Sequence, residues 1–217
     1  MSDVDALTNE QISFVGETLG PLFLNDPKTD ADVTEPLIRA FATLDANAAA
    51  AEWPFAGEAA LRSLTDMRDG AASAIEGGAD ALIWEYRRLL VGPGRKPAPP
   101  WGSVYIDREC VVFGASTLAL RAWTREHGIE RLSDAADPED HIGYVLLLMA
   151  WVAKHRPELL VEFLGEHVLT WSSHFLEQFE EAAEHAFYRG LASLTRSTLE
   201  GIGEELSIEV VYPRFYR

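Results

Sequence analysis

Cysteine is nearly absent: Cys110 stands alone in 217 residues. An intrachain disulfide and a multi-cysteine metal site are therefore excluded, and a reducing compartment suits the chain. Cys110 itself reads as a small buried residue rather than a nucleophile. Basic residues are also scarce. Lys and Arg number 18 against 35 Asp and Glu, for a net charge of −17. Nucleic acid selects basic surfaces, so this balance argues against it and favours cationic partners. Solvated acidic helix faces are the plainer explanation of the same charge. No apolar run reaches the roughly 20 residues a membrane span needs. The first basic residue is Lys28 and the opening Met-Ser-Asp-Val-Asp carries acids, opposite to the basic start of a signal peptide. The cytoplasm is the expected location.

Catalytic signatures are missing too. Gly92-Pro93-Gly94-Arg95-Lys96 lacks the spacing of a phosphate-binding loop, and Gly201-Ile202-Gly203 lacks a third glycine and a preceding strand. Gly114-Ala115-Ser116 has no second glycine at Leu118, so it is no nucleophile elbow. The histidines His127, His141, His155, His167, His174 and His185 form no His-Glu-x-x-His pattern. Ligands can converge from distant helices, so a carboxylate site with His141, His167 or His174 stays open. A helical metal-dependent enzyme is the alternative function on that basis, and a scaffold subunit that binds folded partners is a third.

What is present is helical. The apolar share of 47% and aromatic share of 10% are globular values, and the length suits one domain with a sizeable core. Apolar residues recur at helical spacing over 8–24 and over 34–52, where Thr34 is a candidate cap. A short helix follows over 57–68, then one over 79–91 with Leu82, Tyr86, Leu89 and Leu90 on one side. Gly70 to Gly78 is mixed helix and turn. Ser116 is a candidate cap for a helix closing at Gly128. Helices from Pro157, from Ser172 or Ser173, and over 184–205 complete the series, before an extended strap from Ile208 to Arg217 rich in Val, Tyr and Phe. No convincing period-2 run occurs elsewhere. The expected fold is an all-α, single-domain bundle of roughly eight to ten helices over residues 1–217. One long loop interrupts it: residues 92–102 hold four prolines and end in Pro99-Pro100-Trp101-Gly102. Prolines remove donors and fix φ, so this loop is stiff, and loops of that length are often functional.

The stretch Asp137 to His155 organises the rest. No charged side chain occurs between Ile142 and Ala153, and a helix apolar nearly all round belongs in a core. Asp137 is a candidate cap, Pro138 suits the first helical position, and Glu139 and Asp140 suit the positive end of the dipole. Glu139, Asp140 and His141 thus stand where a core helix reaches the surface. They are either ordinary first-turn residues or an Asp-His pair presented for binding.

The residues Leu89-Leu90-Val91-Gly92-Pro93, Ala98-Pro99-Pro100-Trp101-Gly102-Ser103-Val104-Tyr105, Phe113-Gly114 and Glu139-Asp140-His141 resemble the DmsD/TorD type of redox-enzyme maturation chaperone, closest to the DmsD branch. Leu19-Gly20-Pro21-Leu22-Phe23 and Phe187-Tyr188-Arg189 fit as well. The resemblance implies a cytoplasmic, all-helical protein without catalysis or a cofactor of its own. Such a protein binds the twin-arginine leader of a molybdenum-cofactor oxidoreductase and holds the precursor back from Tat export until it is mature, with the Tat translocase as a further partner. By that similarity the leader-binding surface maps onto Tyr86, Leu89, Leu90, Pro100, Trp101, Gly114, Asp140 and His141. Tyr86 and Leu90 stand where the branch tends to have Trp and Phe. The assigned roles are an apolar wall from Leu89, Leu90, Pro100 and Trp101, an arginine acceptor in Asp140, and an orienting or pH-sensitive partner in His141. Gly114 would allow close backbone approach. Asp140 capping its own helix is the structural alternative. The chain's acidity would hasten encounter with a basic leader.

Overall fold

The computed structural model describes residues 3–91, 94–130 and 138–217, with side chains from residue 6 onward. Among the described residues there are eleven α-helices and no strand. They are α1 (Asp3–Leu24), α2 (Ala31–Ala42), α3 (Ala46–Glu52), α4 (Ala59–Gly77), α5 (Asp80–Tyr86), α6 (Ser103–Ile106), α7 (Ala115–Glu126), α8 (Ile142–His155), α9 (Leu160–Phe163), α10 (Ser172–Ala182) and α11 (Ala186–Glu205). The all-α class expected from the periodicity is the one observed. No helix among the described residues is long and apolar enough to cross a membrane.

Several boundaries differ from the sequence reading, each for a local reason. The helix expected over 34–52 is two. Asp45 accepts the backbone N–H groups of Asn47 and Ala48 at 3.0 and 3.1 Å and starts α3 afresh. Thr34 lies inside α2 rather than at its cap, and its hydroxyl donates to the Asp30 carbonyl at 3.0 Å. Gly70 to Gly77 is helical throughout α4, and Gly70 meets the backbone of Phe187 where a Cβ would clash. Ser116 is not the cap of α7. Gly114 holds that position, and the Asp107 carboxylate accepts the Ser116 N–H at 3.0 Å. The proposed cap at Asp137 lies outside the described residues, as do Gly92 and Pro93 of the loop. The central helix nevertheless begins at Ile142, not at Pro138, with His141 as its N-cap.

The chain falls into two compact units: Met1–Phe23, Pro100–Ser172 and Gly203–Arg217 form unit 1, and Leu24–Pro99 with Ser173–Ile202 form unit 2. In unit 1 the core is α8, with Ile142, Val145, Met149 and Val152 fully buried, against Ile12, Val15 and Leu19 of α1. Burying each such side chain contributes roughly 1.5–3 kcal/mol. The two helices touch backbone to backbone. A Cβ at Gly16 would collide with the Leu146 carbonyl, and one at Gly20 would stand 2.9 Å from Leu147.

Unit 2 packs α4 on α11 through Gly190, whose missing side chain makes room for Ser63 and Met67. Phe41 of α2 meets Phe187 edge to face at 5.6 Å. A buried carboxylate clips α5 to the α10–α11 turn. Glu85 receives Arg88 at 2.7 and 2.9 Å and the backbone N–H groups of Glu184 and His185. Burial alone would raise the Glu85 pKa, but Arg88 and the two backbone donors outweigh it and hold the carboxyl below its ordinary value.

Candidate peptide-binding site

In unit 1 the proline-rich loop ends by pairing with the start of α8. Trp101 and His141 form an isolated antiparallel bridge. The Ile142 N–H donates to the Pro100 carbonyl at 2.8 Å, and the Gly102 N–H donates to the Asp140 carbonyl at 3.2 Å. Each contact answers a need of a helix terminus, whose first N–H groups have no partner inside the helix. Pro100 supplies an acceptor for Ile142. His141 Nδ1 accepts the Gly143 N–H at 3.1 Å. Asp140 Oδ2 accepts the N–H of Ser103, the first residue of α6, at 2.7 Å. Asp140 therefore caps α6, thirty-seven residues away in the chain, and not its own helix.

The two side chains are buried, Asp140 at 3% exposure and His141 at 6%. Burial raises the Asp140 pKa above the usual carboxylate value, and the Ser103 N–H pulls it back in part. The hydroxyls of Ser103 and Thr117 also favour the charged form, although neither sits in hydrogen-bonding geometry, and Asp140 Oδ1 has no hydrogen-bond partner. Burial pushes the His141 pKa down to about 3. His141 is thus neutral at physiological pH, which suits an orienting role. Its ring stands edge to face with Trp101 at 5.9 Å and with Tyr144 at 5.8 Å. The Trp101 Nε1 is buried without a partner, although the residue as a whole is half-buried.

Glu139 leads outward from this element. It receives Arg121 of α7 in a two-point contact at 2.8 and 2.7 Å, and the same guanidinium lies 6.0 Å from the Phe113 ring centre. Phe113 has a positive φ of 64°, rare for a large side chain, and is 48% exposed. Val111 and Leu118, the latter 54% exposed, are apolar and unburied nearby in the chain. Gly114 is the N-cap of α7. A Cβ there would collide with the Asp107 carboxylate and stand 3.1 Å from Ser103, so the close approach it permits is internal. Phe113 belongs to the residues that carry the family resemblance, but the resemblance assigns it no role in binding. The sequence signals for this patch are three apolar residues in a row, Val111-Val112-Phe113, and Leu118 shortly after them.

Of the eight residues assigned by resemblance, Pro100, Trp101, Asp140 and His141 come together in unit 1, and Gly114 lies in the same unit. Tyr86, Leu89 and Leu90 belong to unit 2 and are buried there. Tyr86 packs on Tyr188 at 6.1 Å, and Leu89 and Leu90 sit in a π-helical turn, Arg87–Val91, a form often found at functional sites. The exposed aromatic of this helix is Trp84, at 61%, under the guanidinium of Arg88. Cys110 is half-exposed at a φ of 49°, not buried. Among the described residues no three His, Cys, Asp or Glu side chains group as metal ligands. His141 caps α8, His167 neighbours Trp123 and Phe163, and His174 bonds Gln178.

Residues 50–177 match the family described as nitrate reductase delta subunit. The chain is 42% identical over 211 residues to the probable Tat proofreading chaperone DmsD of Haemophilus influenzae, covering 97% of this chain and 98% of that one. It is 38% identical to the Tat proofreading chaperone DmsD of Salmonella typhimurium, with the same coverage. A crystal structure described as a putative redox enzyme maturation protein from Archaeoglobus fulgidus superposes with a TM-score of 0.51 at 20% identity, over 88% of this chain and 93% of that one, which is a likeness of fold.

Proposed function

Because the chain belongs to the nitrate reductase delta subunit family and is 42% identical over nearly its whole length to a DmsD-type Tat proofreading chaperone, we propose that it is a proofreading chaperone that binds twin-arginine leaders. Its clients are molybdenum-cofactor oxidoreductases of the dimethyl sulfoxide reductase type. It works in the cytoplasm as one functional domain over residues 1–217, passes the mature precursor to the Tat translocase, and performs no catalysis.

The single observation that carries the site is Asp140. One of its oxygens is fixed by Ser103 and the other is buried without a partner. Asp140 is as buried as Leu90, so an arginine of the leader completes that carboxylate once the cover over it moves aside. Guanidinium suits the task because its fork of donors stays charged and gives up water more readily than an ammonium. Trp101, held by its bridge to His141, and the exposed Phe113 and Leu118 form the apolar surface for the leader's hydrophobic stretch, as in grooves that receive amphipathic segments. Pro100 and Gly114 set that backbone in place. Tyr86, Leu89 and Leu90 contact a leader only after the π turn Arg87–Val91 opens, since all three are buried.

Calorimetric titration of the purified chain with synthetic twin-arginine leaders tests this function. Saturable binding of at least one native leader is expected. Absence of heat with all of them, or stoichiometric metal held by histidine together with turnover, would overturn it.

A further inference from the structure

Residues 208–217 belong to unit 1 and carry no helix or strand. Ile208 abuts Gly165, where a Cβ would stand 3.2 Å from its methyl. Further on, the Tyr216 N–H donates to the Tyr105 carbonyl at 2.9 Å. Tyr105 is the third residue of α6, whose first N–H is held by Asp140. Its ring stacks on Trp171 at 6.4 Å, and Trp171 fills the space beside Gly102. The strap and the Trp101–His141 element therefore share one support, α6.

The composition of the strap is unlike the rest of the chain. Tyr212-Pro213-Arg214-Phe215-Tyr216-Arg217 sets two arginines among aromatics, in a chain of net charge −17. Arg214 lies 5.4 Å from the centre of the Tyr216 ring, and Arg217 is near enough to Tyr105 to act on its phenol electrostatically. The strap is also shallowly seated. Val211 is 86% exposed and Tyr212 62%. Segments with little buried apolar surface open at small free-energy cost.

We propose that residues 208–217 are an internal stand-in for the leader: a basic, aromatic segment on the α6 surface that an incoming leader must displace. The proposal rests on the leader-binding function given above. The strap raises the apparent Kd for any leader by the reciprocal of the fraction of time it is open. The factor is the same for every leader, so it raises the concentration at which any leader binds, and leaders of weak intrinsic affinity no longer bind at their working concentration.

Fluorescence anisotropy with a labelled twin-arginine leader tests this on the full chain, on a chain truncated after Glu209, and on full-length Arg214→Glu/Arg217→Glu. If the strap is closed about nine-tenths of the time, both variants bind the leader about tenfold more tightly than the parent. A labelled peptide of residues 208–217 binds the truncated chain and is released by unlabelled leader. Should truncation unfold the chain by circular dichroism, the charge variant decides. Equal leader affinity in parent and variants, or a strap peptide that stays bound at saturating leader, overturns the stand-in while leaving leader binding intact. Failure of the leader to bind any form overturns both.

Discussion

Asp140 Oδ2 accepts the backbone N–H of Ser103 at 2.7 Å across thirty-seven residues of chain. Together with the Gly102 and Ile142 backbone bonds, this contact ties the start of the central helix to the start of α6 and, between them, holds the bridge from His141 to Trp101. Asp140→Ala removes the acceptor and leaves the Ser103 N–H buried without one, a cost of about 1–3 kcal/mol in stability. Asp140→Asn retains an acceptor oxygen and should melt close to the parent while losing leader affinity about tenfold or more. Thermal melts and titrations of both variants check this. An Asp140→Asn variant that binds like the parent would make the residue purely structural.

Acid should weaken leader binding through the same carboxyl. Burial raises its pKa, so it gains a proton at a higher pH than an ordinary aspartate and then, being neutral, no longer attracts a guanidinium. Affinity therefore falls as pH falls through that raised pKa, and in Asp140→Asn this portion of the pH profile is flat. Parent and variant profiles that superpose would contradict the assignment.

Stability against acid is set in part by His141. Its folded pKa, about 3, lies below the unfolded value of 6.5. The unfolded chain thus binds more protons over that window, and stability falls as pH drops from about 6.5 towards 3. His167, pushed down to about 4 by burial, acts in the same direction. His141→Asn keeps a capping side chain and should lose less stability on acidification than the parent in urea unfolding at pH 7 and pH 5. An unchanged difference between those two pH values would sink the idea.

Trp101 offers an optical readout. If the leader's apolar stretch lies on its indole, binding changes the fluorescence of the parent and not that of Trp101→Phe. Trp101→Ala should weaken binding by about 2 kcal/mol, as buried aromatic anchors do. A parent-like affinity with a salt-sensitive association rate would instead mean that recognition is electrostatic alone.

Glu85 tests unit 2. Its carboxylate is buried and gathers Arg88 with two backbone donors. Glu85→Ala leaves Arg88 the Ala182 carbonyl, at 2.6 Å, but strands both backbone N–H groups, and should cost about 1–3 kcal/mol. Denaturant unfolding measures it. A loss below about 1 kcal/mol would mean the clip is replaceable.

The helical class and the buried central helix were legible because their signals are local: period, capping residues and the uncharged run from Ile142 to Ala153. The start of that helix was misplaced for the same reason. Asp137-Pro138-Glu139 satisfies every neighbour rule for a helix N-terminus, yet Asp140 is committed to Ser103, and the Ile142 N–H finds its acceptor at Pro100. Spacing also put Tyr86, Leu89 and Leu90 on one face correctly but could not tell a core face from a groove wall. The exposed Phe113 depends on a positive φ, which no side-chain pattern announces. The residues that resembled a leader-binding surface thus included both the Trp101–His141 element and buried positions behind an irregular turn.

The central claim, that the free oxygen of Asp140 reads an arginine of the leader, is tested most directly by a double-mutant cycle. Parent and Asp140→Asn are each titrated with the native leader and with leaders in which one arginine at a time is replaced by glutamine. The account predicts a coupling of about 1.5–3 kcal/mol between Asp140 and one of the two arginines. Effects that add within about 0.5 kcal/mol for both arginines would contradict it.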